Sequence, residues 1–580
     1  MKERNNTHFT HNTTRTNALK GKVWQLVLLL FAVGLMAACA RMGNPDGGWY
    51  DETPPKVVGA TPAEKATGVG SRKLHIRFNE FIKLENATEN VVVSPPQLEV
   101  PDIKAGGKYI NIELKDSLKP NTTYTVDFSD AISDNNEGNP LSFYTYTFST
   151  GNTIDSLTLK GRIKDALLPK ADNFVNVMLY EMGEKYSDSV VYKERPLYVV
   201  NTLDSLTSFE LTHLKAGKYR LVAMKDKDNN YLFDPKSDKI AFHPTPITIP
   251  TDSTYTLSLF KEVPQTQTSR PFQSGEQRIS IGYQGEKDSI QVKPLSPLPA
   301  DWKWVMEKEP AKDTLWLWYH PKVEDSLKLL VKSNRTDTIK VNLRKMKPEK
   351  WKITPEFKGI SPTEEEIVLS SNTPIHTFNK EAIKIMVAKD STEVGFEPIF
   401  TPNTSQITLK VKVKEGEKYQ FKAFSAFENF FGQKSDTLQD SFTAKKVEDF
   451  GSLKLTFKDD VPLPFIIELT DKEAKKVLYE QYVEQASPSY SFPFLKAGNY
   501  RLRVIEDHNR NKKWDTGSYL KHLQAEPVHY FAKEIELRAN WEIEQEISLA
   551  EQEEKPKPTK ENTTTAEDKP TKTEEKRVKK

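Results

Sequence analysis

Apolar and polar residues alternate in short runs along most of the chain. Leu74, Ile76 and Phe78 alternate with His75, Arg77 and Asn79, the period of two that turns one face of a strand to a core and the other to water. Tyr109, Ile110, Ile112 and Leu114 form another run. Tyr124, Val126 and Phe128 follow, then Tyr144, Tyr146 and Phe148, with Gly and Asn between them. About seven short strands in about 100 residues predict a β-sandwich over 55–152. Leu157 and Leu159, then Val175, Val177 and Leu179, open a second β module over 155–263, closed by Tyr255, Leu257 and Leu259. A polar Pro/Gly-containing linker, 264–279, precedes a middle β module over 280–346 that starts with Ile279, Ile281 and Tyr283.

One stretch occurs twice. Residues 214–234 (LKAGKYRLVAMKDKDNNYLFD) and 495–515 (LKAGNYRLRVIEDHNRNKKWD) align without a gap and share ten of twenty-one residues, Gly217/Gly498, Tyr219/Tyr500 and Asp226/Asp507 among them. An internal repeat of this clarity sets the architecture. Tyr219, Leu221 and Ala223 share one face of its strand by spacing. KVKEGEKYQFKAFSAFENFFG, within 350–446, parallels ELKDSLKPNTTYTVDFSDAIS in the first module, with Tyr419 and Phe421 at the places of Tyr124 and Val126. Residues 449–549 repeat the second module, so a pair of modules is duplicated around the middle one.

These segments carry resemblances. VVGATPAEKATGVGSRKLHIRFNEFI, LKPNTTYTVDFSDAISDNNEGNPL and FYTYTFSTG together resemble the bacterial Ig-like domain of S-layer type, which implies a fold and an extracytoplasmic habit but no activity. The repeated Gly-x-Tyr turn leading into a core strand resembles transthyretin-like or carboxypeptidase-regulatory-like sandwiches. The expected fold is all-β: tandem immunoglobulin-like (55–152, 350–446) and transthyretin-like (155–263, 449–549) β-sandwiches.

The N-terminus breaks the pattern. After a polar, cation-bearing stretch, Val23 to Ala38 is an uncharged, largely apolar run of 16 residues. That is short for a spanning helix and suits a signal-peptide core. It ends at Cys39, the one cysteine of the chain, so disulfides cannot hold the modules. Met36-Ala37-Ala38-Cys39 resembles a bacterial lipobox, which implies cleavage after residue 38, lipid on Cys39 and a membrane partner, since several acyl chains give a stable anchor. Ala40, Arg41, Met42 and Gly43 lack both an inner-membrane retention aspartate and the acidic run that resembles the surface-export signal of Bacteroidetes lipoproteins. The outer membrane, facing the periplasm, is the expected location. Residues 39–54 read as a tether and 550–580, rich in Lys, Glu, Thr and Pro, as a disordered tail. With Lys+Arg 83 against Asp+Glu 81, no global field points to nucleic acid.

Candidate chemistry is sparse. Asp226, Asp228, Asn230 and Asp234 stand at positions 1, 3, 5 and 9 of a calcium-type loop, and Asp507, Asn509, Asn511 and Asp515 repeat the spacing. Alternate oxygen ligands suit a hard cation, but Tyr231 and Lys512 replace the glycine at position 6, and Ser237 and Ser518 the glutamate at position 12. The first copy is the better calcium candidate; otherwise no cofactor is expected. The alternative is a hairpin loop whose side chains bond nearby amides, favoured because acids become amides between copies. Trp302/Trp304 and Trp316/Trp318, each pair two apart around EKEPAKD, predict a hairpin with two indoles per strand on one face. Core packing is the ordinary use of such pairs, an exposed carbohydrate platform the functional one. His508, His522 and His529 fit no metal motif, and GxSxG, HExxH and phosphate-loop patterns do not occur. Asp-Ser/Thr pairs before an aliphatic residue, as at Asp116-Ser117 and Asp155-Ser156, resemble the O-glycosylation motif of Bacteroidetes extracytoplasmic proteins and also suit turns that end before strands.

The reading is a non-enzymatic, lipid-anchored binding or scaffold component of the envelope, with an envelope protein or polysaccharide as partner and sandwiches projecting outward in series. The rival is a surface carbohydrate-binding or adhesin lipoprotein.

Overall fold

The alternating runs are strands in the computed structural model, which describes residues 51–202, 207–295, 297–310, 312–531 and 533–548. Cys39, the apolar run before it and the segment 550–580 lie outside the described residues. Leu74, Ile76 and Phe78 are buried on the strand Lys73–Phe78, whose partners Val57–Thr61 and Tyr109–Glu113 bring Ile110 and Ile112 to the same face. This four-stranded sheet, completed by Asp102–Ala105, packs on Val92–Ser94, Thr123–Asp127 and Thr145–Ser149. Val126, Tyr146 and Phe148 fill the space between. Lys119 donates its backbone N–H to the Tyr124 hydroxyl at 2.8 Å, fixing the corner where the chain changes sheet.

The fourth sandwich has the same plan. Ile353–Ser361, Glu364–Phe378, Thr404–Lys412 and Phe396–Phe400 form one sheet, and Ile383–Val387, Lys418–Ala423 and Leu438–Thr443 the other. Lys414 donates to the Tyr419 hydroxyl at 2.8 Å, the counterpart of the Tyr124 corner.

The second and fifth sandwiches also match strand for strand. In each, a three-stranded sheet carries one parallel pair: Leu157–Asp165 with Thr254–Leu259, and Phe450–Phe457 with Glu542–Ile547. The facing five-stranded sheets are centred on Gly217–Lys225 and Gly498–Glu506, the strands of the repeated sequence. Leu214, Tyr219, Leu221 and Ala223 sit in the core of the second sandwich, and Leu495, Tyr500, Leu502 and Val504 in that of the fifth. Each tyrosine reaches back across the turn. Tyr219 donates its hydroxyl to the Lys215 carbonyl at 2.9 Å, and Tyr500 donates to that of Lys496.

The middle sandwich packs Ile279, Ile281, Leu317 and Tyr319 of one sheet against Leu327, Leu329 and Val331 of the other. Its Trp hairpin, Lys303–Lys308 with Thr314–His320, differs from the sequence expectation. The register pairs Trp304 with Tyr319 and Val305 with Trp318, so the two tryptophan pairs lie on opposite faces. Trp302 packs on the core and stacks on Tyr319 with ring centres 6.1 Å apart. Trp316 and Trp318 point the other way. Residues two apart share a face within each strand, but the register of the hairpin decides which faces meet.

The sandwiches do not project in series. The first rests on the second: Val92 enters an apolar cluster with Met178, Val199 and Val222, and the Val199 N–H donates to the Ser94 hydroxyl at 3.1 Å. The middle sandwich meets the fourth, and the fifth returns to the second. The chain from residue 262 to residue 519 is thereby closed into a loop.

Candidate functional site

The closure begins in the repeated strand. Along Gly217–Lys225, inward residues alternate with Val222 and Met224, which face away from the sandwich core. With Met178, Tyr180, Ile240 and Phe242 they make a second apolar face on one sheet. A strand apolar on both faces needs cover on both. The cover comes from the segment around Val191 and Phe233, from Val92 of the first sandwich and from Tyr519 of the fifth.

Tyr519 is supplied by an insertion. Asp234 and Asp238 close the loop of the first repeat, where Asp238 accepts the N–H of Lys227 at 3.1 Å and of Asp234 at 2.9 Å. In the second repeat Glu526 accepts the equivalent amides of His508 and Asp515, at 2.9 and 3.0 Å. Asp515 and Glu526 are eleven residues apart where Asp234 and Asp238 are four apart, so the second loop is seven residues longer. The extra residues carry Tyr519. Its ring meets Phe242 edge-on at 5.2 Å, and its backbone N–H donates to the Glu262 carboxylate. Around this plug Thr516 donates to the Lys261 carbonyl at 2.8 Å, Gln524 to the Phe242 carbonyl at 3.1 Å, and His522 Nε2 lies 2.9 Å from Asp188 Oδ2. Burial works against the charge of Asp188, but hydrogen bonds from Tyr186 and His522 and the nearby Arg220 guanidinium outweigh it and hold the carboxyl below its usual range.

The fifth sandwich presents a different outer face at the same ladder positions. Glu468 and Arg503 replace Met178 and Val222. They form a buried ion pair. Arg503 also donates to the Ala474 carbonyl at 3.3 Å and the Leu167 carbonyl at 3.4 Å, and the Tyr530 hydroxyl donates to Leu167 at 2.6 Å. Leu167 belongs to the second sandwich, so both outer faces serve one junction. The edges that join the first and second sandwiches are rewritten in the later pair. Lys384 stands where Val92 stands, and Glu480 where Val199 stands. Lys384 bonds Glu393 at 2.7 Å and Glu480 is exposed, so charge replaces an apolar contact.

The predicted calcium ligands hold turns. Asp226 accepts the N–H groups of Asp228 and Tyr231 at 3.0 and 2.7 Å, Asn230 that of Leu232 at 2.6 Å, and Asp234 that of Lys236 at 3.0 Å. Asp228 is part of the same loop and contributes its own amide to Asp226. Burial raises the Asp226 carboxyl above its usual range, helped by the charge of Asp238 and opposed by the Tyr231 amide. Asp507 likewise accepts from Asn511 and Lys512 at 3.1 and 2.9 Å. Tyr231 and Lys512 take left-handed φ values of 59° and 65° where a calcium loop carries glycine. Among the described residues no group of three or more His, Cys, Asp or Glu side chains is placed to hold a metal ion. Asp226→Ala is expected to destabilise the second sandwich by about 1–3 kcal/mol, the cost of leaving buried amides unpaired, read as a lower urea midpoint.

The four tryptophans do not form one platform. Trp304 is 37% exposed. Trp316 and Trp318 flank the Arg278 guanidinium, 5.0 and 5.1 Å from their ring centres, and Phe431 of the fourth sandwich lies 6.1 Å from Trp318. Glu307, opposite Trp316, accepts the N–H and hydroxyl of Ser405 at 2.5 and 2.6 Å. The outward indoles therefore stand at the junction of the middle and fourth sandwiches. Sequence spacing also missed that His508 and His529 both reach Glu506, at 3.0 and 2.7 Å. Strand pairing, not spacing, brings them together.

A family model described as the bacterial Ig-like domain matches residues 51–150, the span of the first sandwich. Residues 51–150 are similar to a bacterial Ig-like domain. No curated protein matches the chain. Among solved structures, the S-layer protein rSbsC(31-844) is 12% identical with a TM-score of 0.15, covering 68% of this chain and 67% of that one. Domains 4–9 of the surface layer protein SbsC are 11% identical with a TM-score of 0.18, covering 73% and 63%. The major pilin subunit of Bacillus cereus is 11% identical with a TM-score of 0.12, covering 68% and 99%.

Proposed function

We propose that the protein is a non-enzymatic, lipid-anchored scaffold of the bacterial outer membrane that binds another envelope component. The observation that carries this reading is the closure. Two sandwiches far apart in sequence are locked by Tyr519, Glu262 and the Arg503–Glu468 pair, and Val92 and Ser94 seat the Ig-like domain on the second of the five, which makes them one preorganised body. Preorganisation reduces the entropy lost on binding. The charged side chains of the repeat hold turns and junctions of the chain itself. The anchor is assigned to Cys39 from the lipobox-like sequence. The rival carbohydrate-binding reading drew on four indoles sharing a face, and that arrangement is not formed.

Fractionation of cells expressing Cys39→Ala tests the anchor: the wild type is expected with outer membranes, the variant in the soluble periplasmic fraction. An unchanged distribution would contradict it. Crosslinking in intact cells followed by purification tests the scaffold role, with a specific envelope partner expected; recovery of the protein alone would count against it.

A further inference from the structure

The fourth and fifth sandwiches are joined through residues 444–449. In the first sandwich Leu114 donates its N–H to the Arg72 carbonyl, and Leu74, paired with Ile112, fills the end of the core. In the fourth sandwich Val413 donates to the Thr363 carbonyl, so Glu365, paired with Val411, occupies the place of Leu74. Ile367 and Leu369 follow on the same face, as Ile76 and Phe78 follow Leu74. A core position therefore holds a carboxyl. Glu365 is only 2% exposed, and its Oε1 has no hydrogen-bond partner.

The surroundings show why the carboxyl is tolerated. Opposite Glu365 on Ile353–Ser361 stands Gly359, and the space a side chain would take is filled by the stem of Lys445 and bordered by Glu365 Oε2. Lys445 lies in the connection between the sandwiches, and Lys496 ends the strand Tyr490–Lys496 of the fifth. These two amines and Glu366 on its own strand are the charged groups acting on Glu365. Thr404–Lys412 contributes Val411 to this face, while Lys410 pairs with Glu364 and Glu366 on the other.

We propose that Glu365 is a proton-operated switch of this joint: neutral, it keeps the end of the fourth core dry and the joint closed; ionised, it turns toward Lys445 and Lys496, admits water and loosens the joint. Burial raises its carboxyl to about 7, with Lys496 and Lys445 pulling down and Glu366 pushing up, so the change falls near neutral pH. The sign follows from linkage. A carboxyl raised in the closed state binds its proton more tightly there, so the closed joint is favoured at low pH and weakens as pH rises between the ordinary carboxyl range and about 7.

Hydrogen exchange of the full chain tests this, with rates corrected for intrinsic pH dependence. Protection of 353–370 and 444–449 is expected to fall roughly 50- to 100-fold between pH 5 and pH 8, while the first sandwich stays level. Glu365→Gln, which stays neutral, should abolish that fall. Lys496→Met, which removes a charge favouring the ionised form, should move it to higher pH without refolding the core. An equal fall in wild type and Glu365→Gln, or an unmoved midpoint in Lys496→Met, would overturn the proposal.

Discussion

Tyr519→Ala is expected to open the loop of sandwiches while leaving each of them folded. The side chain is fully buried between the two repeats, against Phe242 and within the cluster of Met178, Tyr180, Val222 and Met224. Truncating a buried aromatic costs about 3–5 kcal/mol. Here the loss falls on the junction, because the ring belongs to the apolar cluster on the second sandwich and not to the core of the fifth. A junction of this kind also depends on the Glu262 carboxylate, which accepts the Tyr519 N–H. Burial raises that carboxyl above its usual range, although the Tyr519 amide, the Ser518 hydroxyl and Lys521 favour its charge. Small-angle scattering should report a larger radius of gyration for Tyr519→Ala, with circular dichroism unchanged. Tyr519→Phe keeps the ring and should stay closed. An equally compact alanine variant would show that the plug contributes little.

Glu468→Gln should have a comparable effect by a different cause. The Arg503 and Glu468 side chains are 6% and 9% exposed, and desolvating both charges is offset only while both are present. Removing the carboxylate leaves a buried guanidinium facing the Ala474 and Leu167 carbonyls and the Tyr530 hydroxyl. Breaking one side of such a pair costs about 3–5 kcal/mol. Replacing both by the residues of the first repeat, Glu468→Met with Arg503→Val, should cost far less, since that face is apolar in the second sandwich. The two single variants and the double variant form a cycle whose coupling, measured by denaturant unfolding, should be large and favourable. Additive losses would mean that the charges act independently.

Much of the fold was legible. Alternation located the strands because one face of each sheet is buried, as along Lys73–Phe78. The duplicated stretch identified equivalent sandwiches because Tyr219 and Tyr500 perform the same backbone contact. The junctions were not legible. The gapless match ends at Asp234 and Asp515, where the insertion bearing Tyr519 begins, and local periodicity says nothing about a contact across more than 250 residues. The outward apolar residue Val222 is a usable signal, since its counterpart Arg503 does not match it in character. Spacing within strands does not place Trp316 and Trp318 relative to Trp302 and Trp304, because the register of the hairpin is set by its turn. Glu365 hid in the polar run Glu364–Glu366, and only its pairing with Val411 shows which of the three faces the core.

The second and fifth sandwiches are locked together within one molecule. Cysteines at Asp188 and His522, whose side chains meet at 2.9 Å across the junction, test it directly in a Cys39→Ala background with a short bismaleimide. Near-complete intramolecular crosslinking of the monomer is the expected result. Unlinked monomer, or linkage only between molecules, would contradict the closure.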